Sequence, residues 1–426
     1  MENNNKIKIF LDEVCSHIKN KDAHEEITQE IKNHILEISC EYIEEGLSEE
    51  EALDKAIARM GNPLGIGIEL NKVHKARPDY MSIILISMLV VIGLISMYSI
   101  QKNNIAGISV LYKNIIGTIL GGTIGFAIYI FDYRKIEKYS YHLYFLGVLL
   151  TIFIILFQPY LYGNKSFLQI GSSITISVNI LLPIIFLVAF IGIVRLNDMG
   201  NIKALTKVII MFLLPCLLIS KVGLASLLLY FIVGNIIFLC SKIKLLYKVS
   251  TMCAQILGSI FVIVCTVISK PYRIGILAEL WDPTAYPEGS GWMAIQIRKV
   301  IESVGFKGSN LSSINLPGLE SDLIFTYILY SFGVIVGVAC ILIIALLLYR
   351  NFRNISKVKN SYGKMLLITI TSVFSVQFII SILFNLGFAT VYYAVPFLSA
   401  SGTSMMINII LGGFICSIYK RKEITC

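Results

Sequence analysis

Residues 81–100 read MSIILISMLVVIGLISMYSI, twenty residues without a charge. A helix rises 1.5 Å per residue, so this run spans ~30 Å, the thickness of bilayer hydrocarbon. Reading outward from it, apolar runs of comparable reach fall at about 81–100, 114–131, 141–159, 174–194, 206–220, 223–240, 249–268, 323–349, 365–386 and 402–419. Some of these fit only with tilt or irregular ends. The predicted fold class is all-α, a polytopic membrane protein with about ten transmembrane helices. Composition agrees: 56% of the 426 residues are hydrophobic and 15% charged, whereas a soluble domain carries about 25% charged residues. An ordinary soluble enzyme and a disordered chain are both excluded.

Charge divides the chain. Through Pro78 there are sixteen acidic and ten basic residues, net −6, which leaves net +15 for the remainder of a chain whose total is +9. The expected domains are an acidic helical head at 1–78 and a basic membrane body at 79–426. No basic module of a nucleic-acid-binding type is present, so the positive charge is read as loop charge and no nucleic-acid partner is expected. Nine cysteines lie scattered, with no CxxC pair and no Cys/His spacing suited to zinc, and read as packing residues.

The head reads as three short helices within 5–75. Asp22 with Glu25, and Ser48 with Glu51, each have the spacing of a capping box. Ile27, Ile31, Ile35, Ile38 and Tyr42 form one helical stripe, and Leu53, Ile57 and Met60 a second. Gly46 and the run Gly61-Asn62-Pro63 are stop signals. The stretch is similar to the permease-prefix type of helical module found ahead of many Firmicute membrane proteins, which implies protein contact or regulation.

Loop charge sets the expected orientation. With the head inside, the inner loops hold clusters such as Arg134, Lys135 and Lys138, or Arg350, Arg353, Lys357, Lys359 and Lys364; the short outer loops hold only Lys102, Lys113, Lys165 and Lys221. Both termini are then cytoplasmic in a plasma-membrane protein, and the long connection 269–322 is extracytoplasmic. Gly117, Gly121 and Gly125 make a small-residue stripe read as close helix packing.

Long connections tend to be functional. Within this one, Gly291–Gly305 places Met293, Ile297, Val300, Ile301 and Val304 on one face, as a helix lying at the bilayer interface would. Arg273, Arg298, Lys299 and Lys307 add cations there, which suit either phospholipid headgroups or one specific lipid diphosphate.

Three motifs follow in order: YRIGILAELWDPTAYPEGSGWMAIQIRKVIESVGFKGSN, LPGLESDLIF and VPFLSASGTS. Together with the helix count they resemble the SEDS family of FtsW, RodA and SpoVE, whose patterns include LPE..TDFIF and PFLSYGGSS. The resemblance implies a peptidoglycan glycosyltransferase that polymerises lipid-linked disaccharide-peptide precursor at the outer face, in division, elongation or sporulation. It also implies a class B penicillin-binding transpeptidase as partner, and it maps the catalytic aspartate onto Asp322. A carboxylate at the outer end of a helix is suited to taking a proton from a sugar hydroxyl; a carboxylate favoured by the helix dipole, beside a Ser321 cap, is the alternative. Arg273, Lys299 and Lys307 are the expected cations for the leaving diphosphate, with a divalent ion, Mg or Mn, as a candidate helper. Gly289 and Gly291 permit turns, while Pro396, Ser399, Ser401, Gly402 and Ser404 allow close backbone approach by a ligand or by another helix.

Several positions depart from the family. The acid and base of its QPSE..K stretch correspond to Ile180 and Pro183, LPE reads LPG at Gly318, and PDLGT reads SKVGL around Lys221. A non-catalytic scaffold or regulator is therefore an alternative function, as is a precursor transporter. The near absence of acids within the spans disfavours transport.

Overall fold

The computed structural model describes residues 2–73, 78–105, 107, 109–159, 165–170, 174–197, 201–241, 243–268, 287, 291–306, 308, 316–389 and 391–423. They form two units. One contains residues 1–79 with 357–361 and the segment after 417; the other contains the rest.

In the first unit the stripes meet as helices: α1 (Glu2–Ser16), α2 (His24–Glu44), α3 (Glu49–Met60) and α4 (Pro63–Val73). Val14, Ile27, Ile31, Ile35, Ile38 and Leu53 are buried in its core, with Tyr42, Ile57 and Met60 half-buried against them. The expectation of three helices falls one short. Pro63 ends α3 but also begins α4, since its fixed φ suits a first helical position and it has no amide to leave unpaired. Asn62 supplies the cap, its Oδ1 accepting from Leu64 N at 3.0 Å.

The two expected capping boxes part company. At the start of α3, Ser48 Oγ accepts from Glu51 N at 3.4 Å and Glu51 Oε2 accepts from Ser48 N at 3.4 Å. Ser48→Ala should cost the head about 0.5–2 kcal/mol. Faster amide hydrogen exchange confined to α3 in the intact protein is the expected observation, and unchanged exchange would refute it. Asp22 makes no box. A 3₁₀ turn at Lys21–Ala23 intervenes and α2 starts behind Ala23 without a side-chain cap. The Asp22 carboxylate instead meets Arg421 Nε at 2.9 Å and Lys420 Nζ at 3.6 Å, the Arg421 side chain being fully buried. The same tail is held by Lys359 N donating to Lys422 O at 2.9 Å.

The second unit begins with α5 (Tyr80–Lys102), α6 (Ser109–Ile130), the single turn α7 (Lys135–Lys138) and α8 (Ser140–Phe157). Next come the strands β1 (Phe167–Ile170) and β2 (Ile174–Ser177), antiparallel with Phe167 opposite Ser177. Then follow α9 (Leu181–Leu196), α10 (Ile202–Val222), α11 (Leu224–Cys240), α12 (Leu245–Ile268), α13 (Trp292–Glu302), α14 (Ile324–Phe332), α15 (Val334–Ile355), α16 (Ser361–Asn385) and α17 (Gly402–Lys420). Among the described residues eight helices are long and apolar enough to cross a membrane: α5, α6, α8, α10, α12, α15, α16 and α17. The shorter apolar α9 and α11 bring the apolar segments to the expected ten.

Two expected spans differ in detail. The run at 174–194 is strand before it is helix: Ile174-Thr175-Ile176-Ser177 alternates with period two, pairs with β1, and the helix starts only at Leu181. The run at 323–349 breaks at Gly333, whose φ of +87° lies in the left-handed region. The nine residues of α14 rise only ~13 Å, too little to cross.

Small residues set the tightest contacts. A Cβ on Gly117 would collide with the backbone of Gly402, and one on Gly121 would lie 2.9 Å from Met406 Cα, so α6 and α17 touch backbone to backbone.

Candidate active site

Asp322 sits at the end of a turn that depends on a glycine. Gly318 has φ +83°, and its carbonyl accepts from Ser321 N at 3.0 Å and from Leu323 N at 2.9 Å. The LPE-to-LPG change thus places a glycine where the backbone is left-handed. Leu316, Leu319 and Leu323 are buried beneath the turn, leaving Ser321 and Asp322 half-buried above α14. Burial pushes the Asp322 carboxyl up to about 6, and the neighbouring Glu320 charge pushes in the same direction.

The first turn of α14 has no cap from its own sequence, because the residue before it is Leu323. The cap comes from α16: Asn385 Oδ1 accepts from Thr326 N at 2.9 Å, and Asn385 Nδ2 donates to the Asp322 carbonyl at 2.8 Å. Sequence reading did not single out Asn385. Its only local signal is a polar residue at the end of an apolar run, just before Leu386-Gly387.

The segment 395–401 lies against the same turn, with Ala400 N donating to Glu320 O at 3.0 Å. Phe397 in this segment has φ +65°, unusual for an aromatic residue. Its buried ring packs on Phe374, ring centres 5.3 Å apart. Its carbonyl would lie 2.7 Å from a Cβ on Gly93, so only glycine fits there on α5. From α6, Asn114 Nδ2 donates to Ser399 O at 3.0 Å. Ser401 caps α17, its Oγ accepting from Ser404 N at 3.4 Å. Pro396 and Ser399 are buried, and Gly402 packs on the backbone of Lys113. These small residues are therefore engaged in building the frame around the Asp322 turn.

Of the expected cations, Lys299 is exposed on α13; Arg273 and Lys307, like Gly289, fall outside the described residues. Gly291 is buried at the N-terminal end of α13, which turns Ala294 and Ile297 inward. Arg298, expected among headgroup cations, is spent within the protein: its Nε and Nη2 donate to Gly387 O at 3.2 and 3.0 Å, and its guanidinium lies 5.2 Å from the Phe388 ring centre. Ile180 and Pro183 are buried at the start of α9, in surroundings where a single charge would be costly.

No group of three His, Cys, Asp or Glu side chains comes together among the described residues. Asp322 and Glu320 offer two carboxylates and no further donor of this kind, so these residues do not by themselves make a site for a resident divalent cation.

The family model described as cell cycle protein, FtsW/RodA/SpoVE, matches residues 79–424. A probable peptidoglycan glycosyltransferase FtsW of Trichlorobacter lovleyi is 27% identical over 186 residues, 41% of this chain and 49% of that protein. Stage V sporulation protein E of Bacillus subtilis is 28% identical over 163 residues, 37% of this chain and 44% of that protein. The chain thus spans about half the length of these curated relatives. Probable FtsW of Bacillus subtilis matches more extensively, 22% identical over 80% of this chain and 90% of its own. Among solved structures, a chain from work on the structural coordination of polymerization and crosslinking by a peptidoglycan synthase complex superposes with TM-score 0.66 at 16% identity, covering 81% of this chain and 98% of that one. Thermus thermophilus rod shape determining protein RodA does so with TM-score 0.59 at 13% identity, over 82% and 98%. The fold is shared with these structures, and with the family model covering the whole membrane body the chain belongs to the FtsW/RodA/SpoVE cell cycle protein family.

Proposed function

We propose that this protein is a peptidoglycan glycosyltransferase with Asp322 as its general base. The observation that carries the reading is a half-buried carboxylate, raised to about 6, on a glycine-dependent turn tied to the 395–401 segment. At neutral pH such a group is ionised yet more basic than an ordinary aspartate, as proton abstraction requires. In the reaction, an acceptor sugar hydroxyl attacks the anomeric carbon of the lipid-linked donor and gives its proton to Asp322. The bond from that carbon to the diphosphate oxygen breaks, and the polyprenyl diphosphate leaves with the electron pair. Arg273, Lys299 and Lys307 are the proposed counter-charges for it.

In this reading the site faces the outside of the plasma membrane, and the head and both termini face the cytoplasm. The names of FtsW relatives and of the peptidoglycan synthase complex support the substrate, and the latter supports a class B transpeptidase as partner. The test is to supply purified protein, alone and with a candidate transpeptidase, with lipid-linked disaccharide-peptide and to look for glycan polymer. Polymer supports the enzyme. Binding of precursor without polymer under either condition would replace it with the scaffold reading, which the buried Ile180 and Pro183 favour because the acid and base of the family pattern are missing there.

Polymerisation should fall as pH drops through about 6, where Asp322 takes up a proton. The negative charge of Glu320 contributes to that high value, so Glu320→Gln should move the acid limb of the rate profile to lower pH. An unmoved limb, or one displaced upward, would contradict the assignment.

A further inference from the structure

Asn385 is fully buried at the C-terminal end of α16, and all four hydrogen-bonding positions of its amide are used. Oδ1 accepts from Thr326 N at 2.9 Å, and the single Thr326 hydroxyl proton is shared between the Asn385 carbonyl at 2.9 Å and Oδ1 at 3.0 Å; Nδ2 donates to the carbonyls of Asp322 and Ser381, each at 2.8 Å. A helix cap needs only an acceptor. The donor half of this amide goes further and grips the backbone of Asp322 itself.

The end of α16 is in turn held from α13. Gly387 has φ +75° and ends the helix, with Phe388 N donating to Leu383 O at 2.8 Å. The Gly387 carbonyl receives the forked guanidinium of Arg298. Residues 385–387 thus join three elements: α13 through Arg298, the Asp322 turn through Nδ2, and the first turn of α14 through Oδ1.

We propose that Asn385 is a positioning residue for Asp322, fixing its backbone by a cap supplied from a neighbouring helix. The inference rests on the reading of Asp322 as the base. Asn385→Leu keeps a similar volume and removes both halves of the clamp. Freed of it, the turn admits water and its carboxyl returns toward the ordinary aspartate range.

Two readouts separate positioning from bulk stability. The first is labelling of Asp322 by a water-soluble carbodiimide with an amine, followed by mass spectrometry across pH, which needs no activity. Its midpoint should fall by about one pH unit in Asn385→Leu. The second is polymerisation, where kcat should drop about 10- to 100-fold with KM within about threefold, as loss of alignment predicts. Thr326→Val, which keeps the backbone amide bond to Oδ1 and leaves the Asp322 tie in place, should match the wild type in both.

A folded Asn385→Leu protein with an unmoved midpoint overturns the proposal, as does a Thr326→Val protein with the same shift. Where Asn385→Leu yields no folded protein, Asn385→Ser, too short to bridge both partners, is judged by the same midpoint. A wild type without polymer would end the enzyme reading alone, while the labelling midpoints still decide the role of Asn385.

Discussion

Asp322→Asn is expected to lower polymerisation by about 100-fold or more, the usual contribution of a general base, while precursor binding stays within about threefold. The substitution keeps the shape of the side chain and its carbonyl-like oxygen, and removes only the ability to hold a proton near neutral pH. Its backbone carbonyl would still accept from Asn385 Nδ2, so the turn should survive. The loss is therefore expected in kcat, equivalent to about 3 kcal/mol in the barrier. Single-turnover polymerisation with direct measurement of precursor binding separates the two. A fully active Asp322→Asn protein would remove Asp322 from the chemistry; weakened binding with unchanged kcat would make it a substrate ligand instead.

The second large effect concerns packing. Gly117→Leu should prevent a stable membrane body from forming, because a Cβ there meets the backbone of Gly402, which has no side chain to swing aside. Overpacking a core typically costs ~1–3 kcal/mol, and rigid backbone on both sides puts this site at or beyond the upper end. Gly122 lies five residues along the same helix with nothing within 4 Å of its Cβ position. Gly122→Leu is therefore the control. Yield of monodisperse protein and midpoint of thermal unfolding should collapse for the first variant and hold for the second. Equal tolerance of both would mean that α6 and α17 can move apart. Gly402 also opens α17 directly after the 395–401 segment, so partly folded Gly117 variants should lose polymerisation before they lose the head.

Features encoded by near neighbours were legible in the sequence. Ser48 and Glu51 are three residues apart and make their box, and the isoleucines of α2 face the core as their spacing predicts. Hydropathy located the apolar segments because burial in lipid or protein demands it of any sequence. It did not locate the break at Gly333, since one φ angle leaves no mark in a run as apolar as Phe332-Gly333-Val334. The alternation at Ile174–Ser177 was a usable strand signal masked by the longer apolar run behind it.

At the site, motif order pointed to Asp322, Ser321 and the 396–402 stretch. What those residues do locally was less legible: Ser399 receives Asn114, a bond that depends on tertiary placement, while the local cap from Ser401 to Ser404 N was a signal the motif reading passed over. Asn385 and Asp322 are 63 residues apart, beyond any periodicity. Arg298 looked like a headgroup cation because a sequence records its charge and not the Gly387 carbonyl it meets.

The pairing of Asp22 with Arg421 orders events during synthesis. The head precedes the membrane body in the chain, yet one of its ion pairs uses Arg421, a side chain made only after the apolar segments described above have been synthesised. Contacts of such sequence separation form late, because the loop between them must close first. Until then Asp22 remains hydrated and its carboxylate lacks the Arg421 partner. The head would thus reach its final stability only after the polypeptide between Asp22 and Arg421 has been inserted, making its closure a late step in biogenesis rather than an early one.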